Sequence, residues 1–149
     1  MEFVFIIAVL LMSVVIHEVS HGYMALWLGD PTAKLQGRLT LNPLVHLDFL
    51  GSIIVPTIGY ILGGFIIGWA KPVQYNPYNF KKLHRYGDAL VAVSGPAVNI
   101  FLALIFATVI RFSDDLSFIS TSFVDIASFV VFINIILAFF NLIPIPPLD

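Results

Sequence analysis

His17-Glu18-Val19-Ser20-His21 interrupts an otherwise apolar run from Phe3 to Leu28, and the reading of that stretch decides the fold. At 1.5 Å per residue the run reaches about 39 Å, enough to cross a hydrocarbon core with some tilt. No Lys or Arg precedes Lys34, and the run is longer than the apolar region of a secretory leader, so it reads as a retained spanning helix. Polar groups inside it are costly. An acid at mid-helix carries a penalty of about 2.5–3.5 kcal/mol on insertion scales, so Glu18 needs a cation or a polar cavity beside it.

On a helix, His17 and His21 project about 40° apart and both imidazoles can reach one cation, while Glu18 lies about 100° around, beside the cation rather than on it. Zinc held by neutral nitrogens, with one position left for water, lowers the pKa of that water to about 7, and a neighbouring carboxylate can take the proton. The spacing therefore predicts a metal-assisted hydrolytic site. The plainer reading, a buried histidine pair with a stray acid, leaves the cost of Glu18 uncompensated.

The rest of the chain has the same character. Of 149 residues, 59% are hydrophobic and only 11% charged, which lies outside the range of soluble domains and within that of multi-span membrane proteins. One membrane-embedded domain is expected. Cysteine is absent, which removes disulfides and thiolate ligands together, so any metal is bound by nitrogen and oxygen. No basic tract suited to nucleic acid is present.

Four apolar segments are long enough to span: residues 3–28, 49–70, 89–110 and 126–148. The basic residues Lys34, Arg38, Lys71, Lys81, Lys82 and Arg85 all fall in the two loops flanking the second segment, and only Arg111 lies elsewhere. The positive-inside rule wants both loops on the cytoplasmic side, which they share only if residues 49–70 dip in and return. Gly51, Pro56, Gly59, Gly63, Gly64 and Gly68 permit such irregular backbone where protein covers it. The same small residues would also suit an ordinary span packed on a neighbour.

A catalytic zinc normally takes three protein ligands, and nothing else near the first helix supplies one. The candidates are His46, Asp48, His84, Asp88, Asp125 and Asp149. Asp149 stands out because it follows Pro144, Pro146 and Pro147, which must break the last helix and release backbone groups.

H-E-V-S-H in a first apolar helix, G-R-L-T-L-N-P at residues 37–43, G-P-A-V-N at 95–99 and N-L-I-P-I-P-P-L-D at 141–149 together resemble the site-2 protease family of intramembrane zinc metalloproteases, over nearly the whole chain. The resemblance implies zinc bound by His17, His21 and Asp149, a catalytic Glu18, and Asn141 and Pro144 helping to hold the substrate. The family motif continues with a glycine after the aspartate and further apolar helices. This chain stops at Asp149, so a fragment or shortened member is expected.

Geometry ties the metal to the topology. If residues 49–70 return to their own side, the last segment runs parallel to the first and delivers Asp149 to the side where an inward fold closes the site. If they cross, Asp149 ends about 20 Å or more from the histidines, whereas zinc–oxygen bonds are about 2.0–2.2 Å. The expected fold is an all-α membrane protein, with three spanning helices plus one re-entrant apolar segment and short extended loop pieces. It sits in the cell membrane as a multi-pass protein with the site toward the cytoplasmic side.

The expected reaction is hydrolysis of a peptide bond in a membrane-spanning protein substrate, with Glu18 activating water and then protonating the leaving amine. A substrate helix must unwind locally first, and residues 37–42 and 70–75 offer a strand edge for the freed backbone; the plainer reading makes them loops packed over helix ends. Asn99 and Asn134, polar at membrane depth, read either as supports of the site or as hydrogen bonds between helices. Trp27, Trp69 and Tyr86 read as interfacial anchors in the lipid bilayer, and His46 and His84 as polar-loop residues away from the metal. The rival from another class is a transporter or non-catalytic zinc-binding membrane protein, whose broken helix lines an ion path. It accounts for the prolines and leaves Glu18 without a task.

Overall fold

The computed structural model describes residues 3–48, 51, 54–55, 58, 61–62, 71–113 and 120–143, and among these the regular structure is helical, with no strand. Helix α1, Phe3–Leu28, stops at Gly29, which adopts φ +116°, a backbone region that side chains rarely enter. Two single turns follow, α2 at Thr32–Leu35 and α3 at Pro43–His46. The second is opened by Asn42, whose side chain accepts from the Leu44 amide, with Pro43 in the first turn. Residues 71–76 are irregular and lead through two 3₁₀ turns, Pro77–Asn79 and His84–Tyr86, into α4, Gly87–Arg111.

The last helix, α5, is Thr121–Asn141. It begins ahead of the apolar run at Ile126 because Ser120 caps it, accepting from the Phe123 amide at 3.2 Å. Among the described residues, helices α1, α4 and α5 are the three that are long and apolar enough to cross a membrane. His21 meets Val91 while His17 meets Asn99, so α4 runs antiparallel to α1. Asn134 of α5 touches both Asn99 and Ser13. Large apolar side chains such as Phe101, Leu104, Phe132 and Phe139 point outward, whereas Ala25, Ala103, Ala127, Ala138, Asn99 and Asn134 are buried. This is the packing expected where lipid already solvates the apolar surface, so that small residues and hydrogen bonds hold the helices together.

The segment 49–70 lies mostly outside the described residues, but its flanks are within them: the Lys71 amide donates to the His46 carbonyl at 2.8 Å. The amides of Lys81 and Lys82 donate to the Leu28 carbonyl at 2.8 and 3.1 Å. Both basic loops are thus gathered at the C-terminal end of α1, and the chain enters and leaves 49–70 at one place, as a re-entrant segment requires. Residues 37–42 and 71–76 form no strand; Leu39 and Val73 pack against Gly22 of α1. His46 departs from the expectation of a polar-loop residue. It is 1% exposed, donates from Nε2 to the Thr40 carbonyl at 2.9 Å, and leaves its buried Nδ1 without a hydrogen bond, because α3 packs against α1 instead of facing solvent.

Candidate metal centre

The motif helix turns Ser13, His17 and His21 inward, and all three are buried against α4 and α5. The two imidazoles meet edge to face, with centroids 4.7 Å apart. Nδ1 of His21 donates to the Val91 carbonyl at 2.7 Å and lies 3.3 Å from Ser94 Oγ. Nδ1 of His17 donates to Oδ1 of Asn99 at 2.5 Å. With their protons on Nδ1, both rings carry the lone pair on Nε2.

Those two nitrogens converge beside Gly95. A Cβ built on Gly95 would stand 2.6 Å from Nε2 of His17 and 2.5 Å from Nε2 of His21, so only glycine leaves the space in which they meet. Two neutral nitrogens directed at one small space, each braced from behind by an acceptor, are a donor set that fits zinc. Among the described residues no group of three His, Cys, Asp or Glu forms a metal-binding cluster. Asp149 and Pro144 lie outside the described residues. Asn141 is the last residue of α5, and its Nδ2 donates to the Leu137 carbonyl at 2.9 Å.

Glu18 is half-buried beside the pair, and its Oε2 accepts from the Val73 amide at 2.9 Å. Gly22 permits this closure, since a Cβ there would meet Leu39 at 2.6 Å and Val73 at 3.0 Å. The groove of about 520 Å³ lined by Ile16, Ser20, Tyr23, Trp27, Ser94 and Ala97 opens on the face of α1 roughly opposite Glu18 at 100° per residue. Glu18 does not line it.

Over 150 residues the chain is 39% identical to the Bacillus subtilis protein named "Putative zinc metalloprotease YwhC", an alignment covering 97% of this chain and 65% of that protein. It is 32% identical over 148 residues to "Putative zinc metalloprotease Rip2" of Mycolicibacterium smegmatis, covering 99% of this chain and 54% of that protein. This chain is similar to these two proteins over nearly its whole length. The names of these relatives agree with the metalloprotease resemblance of the sequence motifs. The same-named Mycobacterium tuberculosis protein is 32% identical over 147 residues. The chain spans under two thirds of the Bacillus relative and about half of the mycobacterial ones. No family model matches, and no solved structure matches.

Asp30 stands between Gly29 and Pro31, just past the end of α1. It is fully buried and accepts from Thr32 N (3.1 Å), Thr32 Oγ1 (2.6 Å), Asn76 N (2.7 Å) and Asn79 Nδ2 (2.8 Å). Burial alone would raise its carboxyl, but the donors from Asn79, Thr32 and Asn76 together hold it below the usual carboxylate range. Asp30 thereby fastens the loop that carries Val73 to the end of α1. The D-P-T order at 30–32 was the available signal, since an aspartate two residues before a free amide often caps it.

Proposed function

We propose that this chain is the catalytic core of an intramembrane zinc endopeptidase that hydrolyses peptide bonds in membrane-spanning proteins. The observation that carries the reading is the convergence of the His17 and His21 Nε2 atoms beside Gly95, among helices long and apolar enough to cross a membrane. His17 and His21 hold the metal through Nε2, and Asp149 is the third ligand. Zinc, when bound, supplies Lewis acidity toward a carbonyl and toward water.

Glu18 takes the proton from water and returns it to the leaving amine. Its direction is set by the Val73 amide on Oε2. Asn141 and Pro144 hold the substrate where it has unwound, because a helical carbonyl is otherwise occupied by its own hydrogen bond. Ser13 and Asn134 lie at one level; α4 runs antiparallel to α1, and with the short link from Arg111 to Thr121 α5 returns beside α4 and runs with α1, so Asn141 stands about 10 Å further along, near the level of Ser20. That supports a third ligand arriving from the segment beyond Asn141. By the positive-inside rule, the basic loops at the C-terminal end of α1 support a cytoplasmic side for this end.

Glu18→Gln, compared with His17→Ala, His21→Ala and Asp149→Ala, tests the reading by zinc content and cleavage of a membrane-spanning reporter. Glu18→Gln should keep zinc and abolish cleavage, while the other three should lose zinc. Full cleavage by Glu18→Gln would exclude a peptidase built on this acid, and full zinc occupancy without Asp149 would remove it from the site.

A further inference from the structure

We propose that Asn134, which lies on α5 and hydrogen-bonds to Asn99 rather than to a histidine, determines that His17 presents a lone pair to the metal. The inference rests on His17 being a metal ligand. Its starting point is a carbonyl. Nδ2 of Asn134 donates to the Val130 carbonyl at 2.9 Å and to Ser13 Oγ at 3.0 Å. A carbonyl can only accept, so the amide of Asn134 has a single orientation and its Oδ1 must face α4. There it accepts from Nδ2 of Asn99 at 2.7 Å. Asn99 is thereby oriented in turn, with Oδ1 toward His17. That oxygen can only accept, so His17 carries its proton on Nδ1 and its lone pair on Nε2.

Asn99 and Asn134 are both fully buried, so no water competes for these groups. Each link passes on one piece of information, which end of a polar group is donor and which is acceptor, from the backbone of α5 to the metal-facing nitrogen of α1. Without Asn134, nothing fixes which end of the Asn99 amide faces His17, because its Nδ2 no longer has an acceptor across the interface. Turned over, it offers N–H to Nδ1, and His17 must move its proton to Nε2, where the metal would bind. His21 has no such dependence, because its Nδ1 donates straight to the Val91 carbonyl.

The test compares the full chain, Asn134→Leu and the double variant Asn99→Asp/Asn134→Leu, measuring zinc affinity by chelator competition and the Co²⁺ absorption spectrum. Asn134→Leu should weaken zinc about 10- to 100-fold, the range for outer-shell partners. In the double variant the carboxylate at 99 has no N–H to present, so zinc affinity should recover although the relay is gone. A merely structural role for Asn134 would not be rescued in this way. In metal-free protein, ¹⁵N-histidine NMR should show one histidine moving from the Nδ1–H to the Nε2–H tautomer in Asn134→Leu alone. Wild-type affinity in Asn134→Leu overturns the proposal, and so does an unrecovered double variant. Should Asn134→Leu not fold, the double variant, which lacks the Asn99 Nδ2 donor that the leucine would leave unpaired, is read by itself: native-like zinc affinity supports the proposal and lost affinity overturns it. If His17→Ala binds zinc as tightly as the native chain, the metal reading fails first, and that result is distinct from a failure of the relay.

Discussion

Val73 donates its backbone N–H to Oε2 of Glu18 at 2.9 Å. The two residues lie 55 positions apart, and the contact joins the acid of the motif to the loop by which the chain returns from segment 49–70. Glu18 is therefore aimed by backbone from elsewhere in the fold. Val73→Pro deletes that donor without altering the carboxylate. Zinc content should be unchanged and cleavage of a reporter should fall roughly tenfold or more, the equivalent of a charge-assisted hydrogen bond of about 1.5–3 kcal/mol. Unchanged cleavage would mean that the loop does not orient the acid.

Gly95→Ala places a methyl group where the two Nε2 atoms meet. One imidazole must swing away, so zinc affinity should collapse. The overpacking should also cost about 1–3 kcal/mol of stability, read as a lowered melting temperature in detergent. Native zinc binding by this variant would show that the nitrogens do not converge there.

The Asp30 junction should be acid-labile in a defined direction. Its folded pKa is depressed below the ordinary value of 3.8, so the stabilisation is complete above that value and is lost as pH falls through the folded pKa. Hydrogen-exchange protection at the Asn76 and Thr32 amides, corrected for intrinsic rates, should hold from neutral pH to about 4 and then decline. Asp30→Ala should lose that protection at every pH and cost about 1–3 kcal/mol, because it leaves buried donors unpaired. An acid step that persists in Asp30→Ala would assign the lability to another group.

Gln36 and Gln74 face each other across the two loops, Nε2 to Oε1 at 3.3 Å. In a chain without cysteine, Gln36→Cys/Gln74→Cys should cross-link with a short bifunctional thiol reagent, and single cysteines at Gln36 and Asn79 should label from the same side of the membrane. Ser113, at the far end of α4, should label from the other side. Labelling of Gln36 and Asn79 from opposite sides would refute the shared placement of the basic loops.

By itself, the sequence determined where α1 lies and where it ends, because the extent of an apolar run is a local property of the chain. It also determined that His17 and His21 share a face, since helical geometry follows from residue spacing alone. Hydropathy was less able to place the start of α5, because a helix begins at its cap, Ser120, and not at its first apolar residue. Only the tertiary structure decided what stands behind each imidazole. The roles of Asn99, Asn134, Val73 and Asp30 depend on which groups other elements bring within hydrogen-bond reach. Hydrogen bonds are short and directional, and partners separated by tens of residues leave no periodicity in the chain to announce them.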